Sequence, residues 1–111
     1  MADVFKHFPP GLEGRLNDEL GVLVDNAFPN GYHQSTINAN LNMFGRNLSR
    51  YLVDADIAHI VELKAWKQFC IAFKTWNNAL SYERNNTTSL IAHDRIRHQA
   101  WLNLIKALNF K

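Results

Sequence analysis

Cysteine is nearly absent from this chain, with Cys70 the only one among 111 residues. An internal disulfide and any paired-cysteine metal motif are thereby excluded. Cys70 sits inside an apolar stretch, so it reads as a small buried hydrophobe in which the thiolate is disfavoured. Proline is confined to Pro9, Pro10 and Pro29, and the five glycines are scattered singly, which leaves no Gly-rich loop to cradle a phosphate. No apolar run approaches the roughly 18 residues that a membrane span needs. The start, Met-Ala-Asp-Val-Phe-Lys-His, also lacks the basic and apolar blocks of a secretory leader. The expectation is a soluble cytoplasmic protein, in which Asn85-Asn86-Thr87-Thr88 is a loop and not a glycosylation site.

Catalytic patterns are missing as well. There is no His-Glu-x-x-His, no serine in a Gly-flanked sharp turn and no acid pair that reads better as chemistry than as a helix start. Five histidines are present, but His93 and His98 would lie about 140° apart on one helix and could not share an ion. No catalytic residue, metal or cofactor is therefore expected.

What the sequence does contain is bulk: three Trp and seven Phe, with 47% apolar and 20% charged residues. Trp66, Phe69, Phe73, Trp76 and Leu80 recur at steps of three and four, with Ala65, Ala72 and Ala79 on their flank, which is one face of a helix. Leu12, Leu16, Leu20, Leu23 and Ala27 form a second stripe, closed by Phe28-Pro29-Asn30-Gly31. Ile37, Leu41, Phe44, Leu48, Tyr51 and Leu52 form a third, with Ser35 or Thr36 as its expected cap. Gly45 borders it, where the propensity cost of about 1 kcal/mol is offset if another backbone approaches closely.

Asp54 and Asp56 suit the start of the next helix, but a straight run to Tyr82 would turn Glu62 into the aromatic sector. A break near Glu62–Lys64, or two exposed first turns, is expected. The last helix runs from Ser89 or Asp94 to Leu108, capped by Thr87 or Thr88, with Ile96, Ala100, Trp101, Leu104, Ile105 and Leu108 as its apolar sector. The predicted fold is all-α, a compact bundle of four main helices. Residues 1–10 form an extended arm, with Phe8 stapling the first helix, and 11–111 form a single domain. Its core is Leu16, Leu20, Leu41, Phe44, Leu48, Trp66, Phe69, Phe73, Trp76, Leu104 and Leu108.

Charge is unevenly placed. Residues 1–34 carry two basic and five acidic side chains, and 35–111 carry ten basic and five acidic. A helix-turn-helix across 51–56 fails because its second member opens on carboxylates that phosphate would repel. The expected role is binding another protein, as an adaptor, assembly subunit or small inhibitor of the mobile-element type, with a further copy of the chain among the partners. Met43 and Ile71 are apolar residues on polar faces beside cations, so the expected docking surface is Met43, Arg46, Arg50, Lys67, Ile71 and Lys74. The alternative is weak nucleic-acid binding through a basic helical face that uses Arg46, Arg50, Lys64, Lys67, Lys74, Arg95 and Arg97, with His93, Arg95, Arg97 and Trp101 as the alternative anion or nucleic-acid contact. Arg97 projects into the apolar sector of the last helix. Either Trp101 frames it for an anion or, the preferred reading, its stem overhangs the core and its head reaches water.

Overall fold

A computed structural model describes residues 11–28, 30–52, 64–83 and 85–109. Within them lie four helices, α1 (Leu12–Ala27), α2 (Gln34–Leu52), α3 (Lys64–Tyr82) and α4 (Thr87–Asn109). The N-terminal arm with Phe8, the pair Asp54 and Asp56, and Glu62 lie outside the described residues, as do the side chains of Tyr51, Leu52 and Leu108. Neighbouring helices run in opposite directions. Asn47 of α2 reaches back to Glu19 of α1, and Gln34 and Gly45 of α2 meet Asn78 and Trp66 of α3. Phe69 and Trp76 of α3 meet Trp101 and Arg97 of α4. Trp101 Nε1–H closes the ring by donating to Asn17 Oδ1 of α1 at 2.8 Å. The result is an up-down-up-down bundle around one core supplied by all four helices.

Two caps differ from expectation. The amides of Thr36 and Ile37 donate to the His33 carbonyl, so α2 starts one residue before Ser35 and neither Ser35 nor Thr36 caps it. At α4 the Asn86 side chain accepts from the Ser89 amide at 3.0 Å, which makes Asn86 the cap and places Thr87 and Thr88 in the first turn. Asparagine serves this role as well as threonine, and the turn geometry decides between adjacent candidates.

The loop after α1 is locked onto α3. Gly31 takes φ 80°, a left-handed conformation, and its amide donates to Ala27 O at 2.6 Å. A Cβ at Gly31 would stand 2.6 Å from Asn77 O and 2.8 Å from Ser81 Oγ, so only glycine fits against α3 here. Asn77, 1% exposed, takes the whole Tyr32 peptide: its Oδ1 accepts from Tyr32 N–H at 2.6 Å and its Nδ2 donates to Tyr32 O at 3.0 Å. Ser81 Oγ adds a bond to Asn30 O at 2.6 Å. Asn77 lies four residues after Phe73 and three before Leu80, so it faces inward and must be satisfied there.

The expected core is inside. Leu16, Leu20, Leu41, Phe44, Leu48, Trp66, Phe69, Phe73, Trp76 and Leu104 are all buried. Phe69 lies 5.6–5.9 Å, ring centre to ring centre, from Phe44, Trp66, Phe73 and Trp101, which joins α2, α3 and α4 through one side chain. The close approach at Gly45 is made by an indole and not by a backbone, since a Cβ there would stand 2.9 Å from Trp66 Cζ2. Truncating a fully buried aromatic removes transfer energy and leaves a cavity, so Phe69→Ala should lower unfolding free energy by roughly 3–5 kcal/mol, whereas exposed Met43→Ala should change it by less than about 0.5 kcal/mol. Chemical denaturation of the two variants measures both, and equal midpoints would contradict the burial of Phe69.

Candidate functional site

The apolar sector of α4 is turned from its expected setting. Ile96, expected in the apolar sector, is 58% exposed, and the buried positions are Arg97, Trp101, Leu104 and Ile105. The cause is volume and hydrogen bonding. Trp101 fills the gap beside Phe44 and Phe69, and its N–H finds Asn17. One turn earlier on the same face stands Arg97, which is therefore drawn in.

Arg97 thus neither snorkels to water nor waits at the surface for an anion framed by Trp101. It is 6% exposed, and its guanidinium carbon lies 4.6 Å from the centre of the Trp76 ring. Its Nη2 donates to Asp94 Oδ1 at 2.6 Å, while the buried Nε–H has no partner. Trp76 is held from further sides by the edge-on rings of Phe28 and Phe73. Of the alternative contact set, Arg97 and Trp101 are inside the protein, His93 is half-buried at 4.0 Å from Glu83, and Arg95 is exposed.

Of the expected docking residues, Met43 and Ile71 line two separate grooves that share no helix, and Arg46, Arg50, Lys67 and Lys74 line neither. Met43, 61% exposed, lines a groove of about 180 Å³ between α1 and α2 with Glu19, Val22, Asn26, Asn40 and Asn47. Ile71, 66% exposed, lines a groove of about 440 Å³ between α3 and α4. Lys67 is exposed and Lys74 half-buried; at 100° per residue both fall on the flank of α3 from which Asn78 meets α2, away from the α4 side. Arg46 and Arg50 are exposed on α2.

The α3–α4 groove is the more apolar of the two. Its floor is Ala72 and Ala100, Ile71 and Ile96 stand on its edges, and Gln68, Thr75, Gln99, Asn103 and His93 complete the lining. None of these described lining residues is Lys, Arg, Asp or Glu. The spacing of Ile96 fits an apolar stripe equally well, so periodicity alone does not identify it as a surface residue. A larger hollow, about 710 Å³, lies over the α3–α4 turn, but it is open and polar. There Glu83 accepts from Ser89 Oγ and Asn86 from the Ser89 amide, so these groups serve the helix cap.

Among the described residues no cluster of His, Cys, Asp and Glu is disposed to hold a metal ion. No described helix is long and apolar enough to cross a membrane. Burial pushes the Cys70 thiol up to about 11, with Lys74 pulling weakly the other way. Burial therefore keeps the thiol protonated at neutral pH.

Two measurements follow from these environments. Arg97→Met keeps the buried stem and removes a cation with an unsatisfied N–H, so it should leave the melting temperature unchanged or raised, whereas Arg97→Ala should lower it through lost packing. Equal losses for both would assign the stability to the charge on Trp76. Alkylation of native Cys70 should accelerate about tenfold per pH unit from pH 7 to 9 without levelling, because only the thiolate reacts. Because the unfolded chain releases this proton at lower pH, the contribution of Cys70 to stability is complete below the free-thiol value and is lost as pH rises towards about 11. A plateau in alkylation rate below pH 9 would contradict the burial.

The chain matches no family model, no curated protein and no solved structure.

Proposed function

We propose that this chain is a non-enzymatic protein-interaction module that works through the α3–α4 groove. The observation that carries the reading is the juxtaposition of Ile71 and Ile96, both mostly exposed, over a notch floored by Ala72 and Ala100. Leaving two isoleucines in water forgoes the roughly 1.5–3 kcal/mol that burying each would contribute, and a partner that covers them recovers it. A preformed concave apolar strip with an uncharged rim is the form of an interface core, from which charged residues are depleted. The chain would then serve as an adaptor, an assembly subunit or a small inhibitor that occludes another protein.

The test is capture from a lysate of the source organism, treated with nuclease, on immobilised wild type and on the Ile71→Glu, Ile96→Glu double variant. The expected result is a protein retained by the wild type after nuclease and lost by the variant, with the variant's circular dichroism unchanged. A protein captured equally by both, or binding that nuclease abolishes, would overturn the reading.

A further inference from the structure

We propose that the occupant of the α3–α4 groove is a second copy of this chain, docked about a two-fold axis. The proposal rests on the docking reading above and names its partner. A two-fold interface lays one surface patch on itself, so every group must tolerate its own copy, and like charges on the patch would face each other.

The α3–α4 face meets that condition. Among its polar lining residues Gln68, Gln99 and Asn103 are amides and Thr75 a hydroxyl, each carrying a donor and an acceptor and so able to pair with its own copy, and His93, beside Glu83, completes the lining. Gln99 Nε2 already donates to Asn103 Oδ1 at 3.0 Å, which leaves the Gln99 carbonyl and the Asn103 amino group facing outward with opposite hydrogen-bonding sense. No cation of α3 lines the groove itself: Lys67 and Lys74 stand beside Ile71 on the flank towards α2, and Lys64, four residues before Gln68, lies on the same stripe outside the lining.

Shape points the same way. Ile71 and Ile96 stand proud beside the hollow left by Ala72 and Ala100, so each copy presents a branched apolar knob and a small-residue notch for its partner's knob. The other exposed apolar groove, around Met43, is smaller and carries the carboxylate-bearing Glu19, which would meet its own copy in such an arrangement.

Sedimentation equilibrium of the full chain from about 1 μM to about 1 mM tests this. The weight-average mass should rise with concentration from 12.8 kDa towards twice that value. Ile71→Glu and Ile96→Glu should each weaken the association at least about tenfold, with melting temperature retained, and Met43→Glu should leave it unchanged. A single-chain mass at about 1 mM, or a loss with Met43→Glu as large as with Ile71→Glu, would overturn the proposal. A single-chain mass together with a lysate protein lost by the double isoleucine variant would remove the second copy and leave the docking reading standing. Self-association that the isoleucine variants abolish, with nothing captured from lysate, would support the second copy as the partner.

Discussion

The Phe69 ring sets the rotation of three helices at once. Because it must touch Phe44, Trp66, Phe73 and Trp101, α3 can turn only one way about its axis, and Ile71, two residues on, is carried outward. The same contact fixes α4. With Trp101 against Phe69 and hydrogen-bonded to Asn17, the residue one turn earlier is Arg97, and the residue beside it, Ile96, is displaced to the surface. The apolar groove thus follows from the packing of the aromatic core, because the rotation that buries two indoles exposes two isoleucines.

That rotation has an electrostatic cost. A guanidinium is taken from water, paired with one half-exposed carboxylate and stacked on Trp76, while its Nε–H goes unsatisfied. Such an arrangement contributes less stability than an apolar residue of the same shape would, yet the large aromatics around it more than offset the loss. At the other end of the bundle polarity is used differently. Asn77 and Ser81 spend their hydrogen bonds on the backbone of Asn30 and Tyr32, so the α1–α2 turn is held to α3 by polar contacts beside the apolar one of Phe28 with Trp76.

The legibility of each helix in the sequence tracks how one-sided it is. In α2 and α3 the apolar residues crowd onto one face, and the periodicity alone identifies Leu41, Phe44, Leu48, Phe69 and Trp76 as core. In α4 the apolar residues Ile91, Ile96, Trp101, Leu102, Leu104 and Ile105 surround the axis, so spacing admits more than one orientation and the bulk of Trp101 decides. Ile71 is legible as an apolar residue among polar ones. Its pairing with Ile96 is not, because that depends on which helix lies beside α3, and the like chemistry of Met43 and Ile71 does not reveal that they line separate grooves. The inward setting of Asn77 could be read from its distance to Phe73 and Leu80, but its partner, a loop peptide 45 residues away, could not.

The rotation of α4 is tested most directly by solvent paramagnetic relaxation of isoleucine and leucine methyl groups in dilute protein. With Trp101 and Arg97 inward, the methyl signals of Ile71 and Ile96 should broaden strongly while those of Leu48, Leu104 and Ile105 stay sharp. Protection of Ile96 equal to that of Leu104 would contradict this packing, and would mean that α4 presents its Ile96–Ala100–Leu104 stripe to the core.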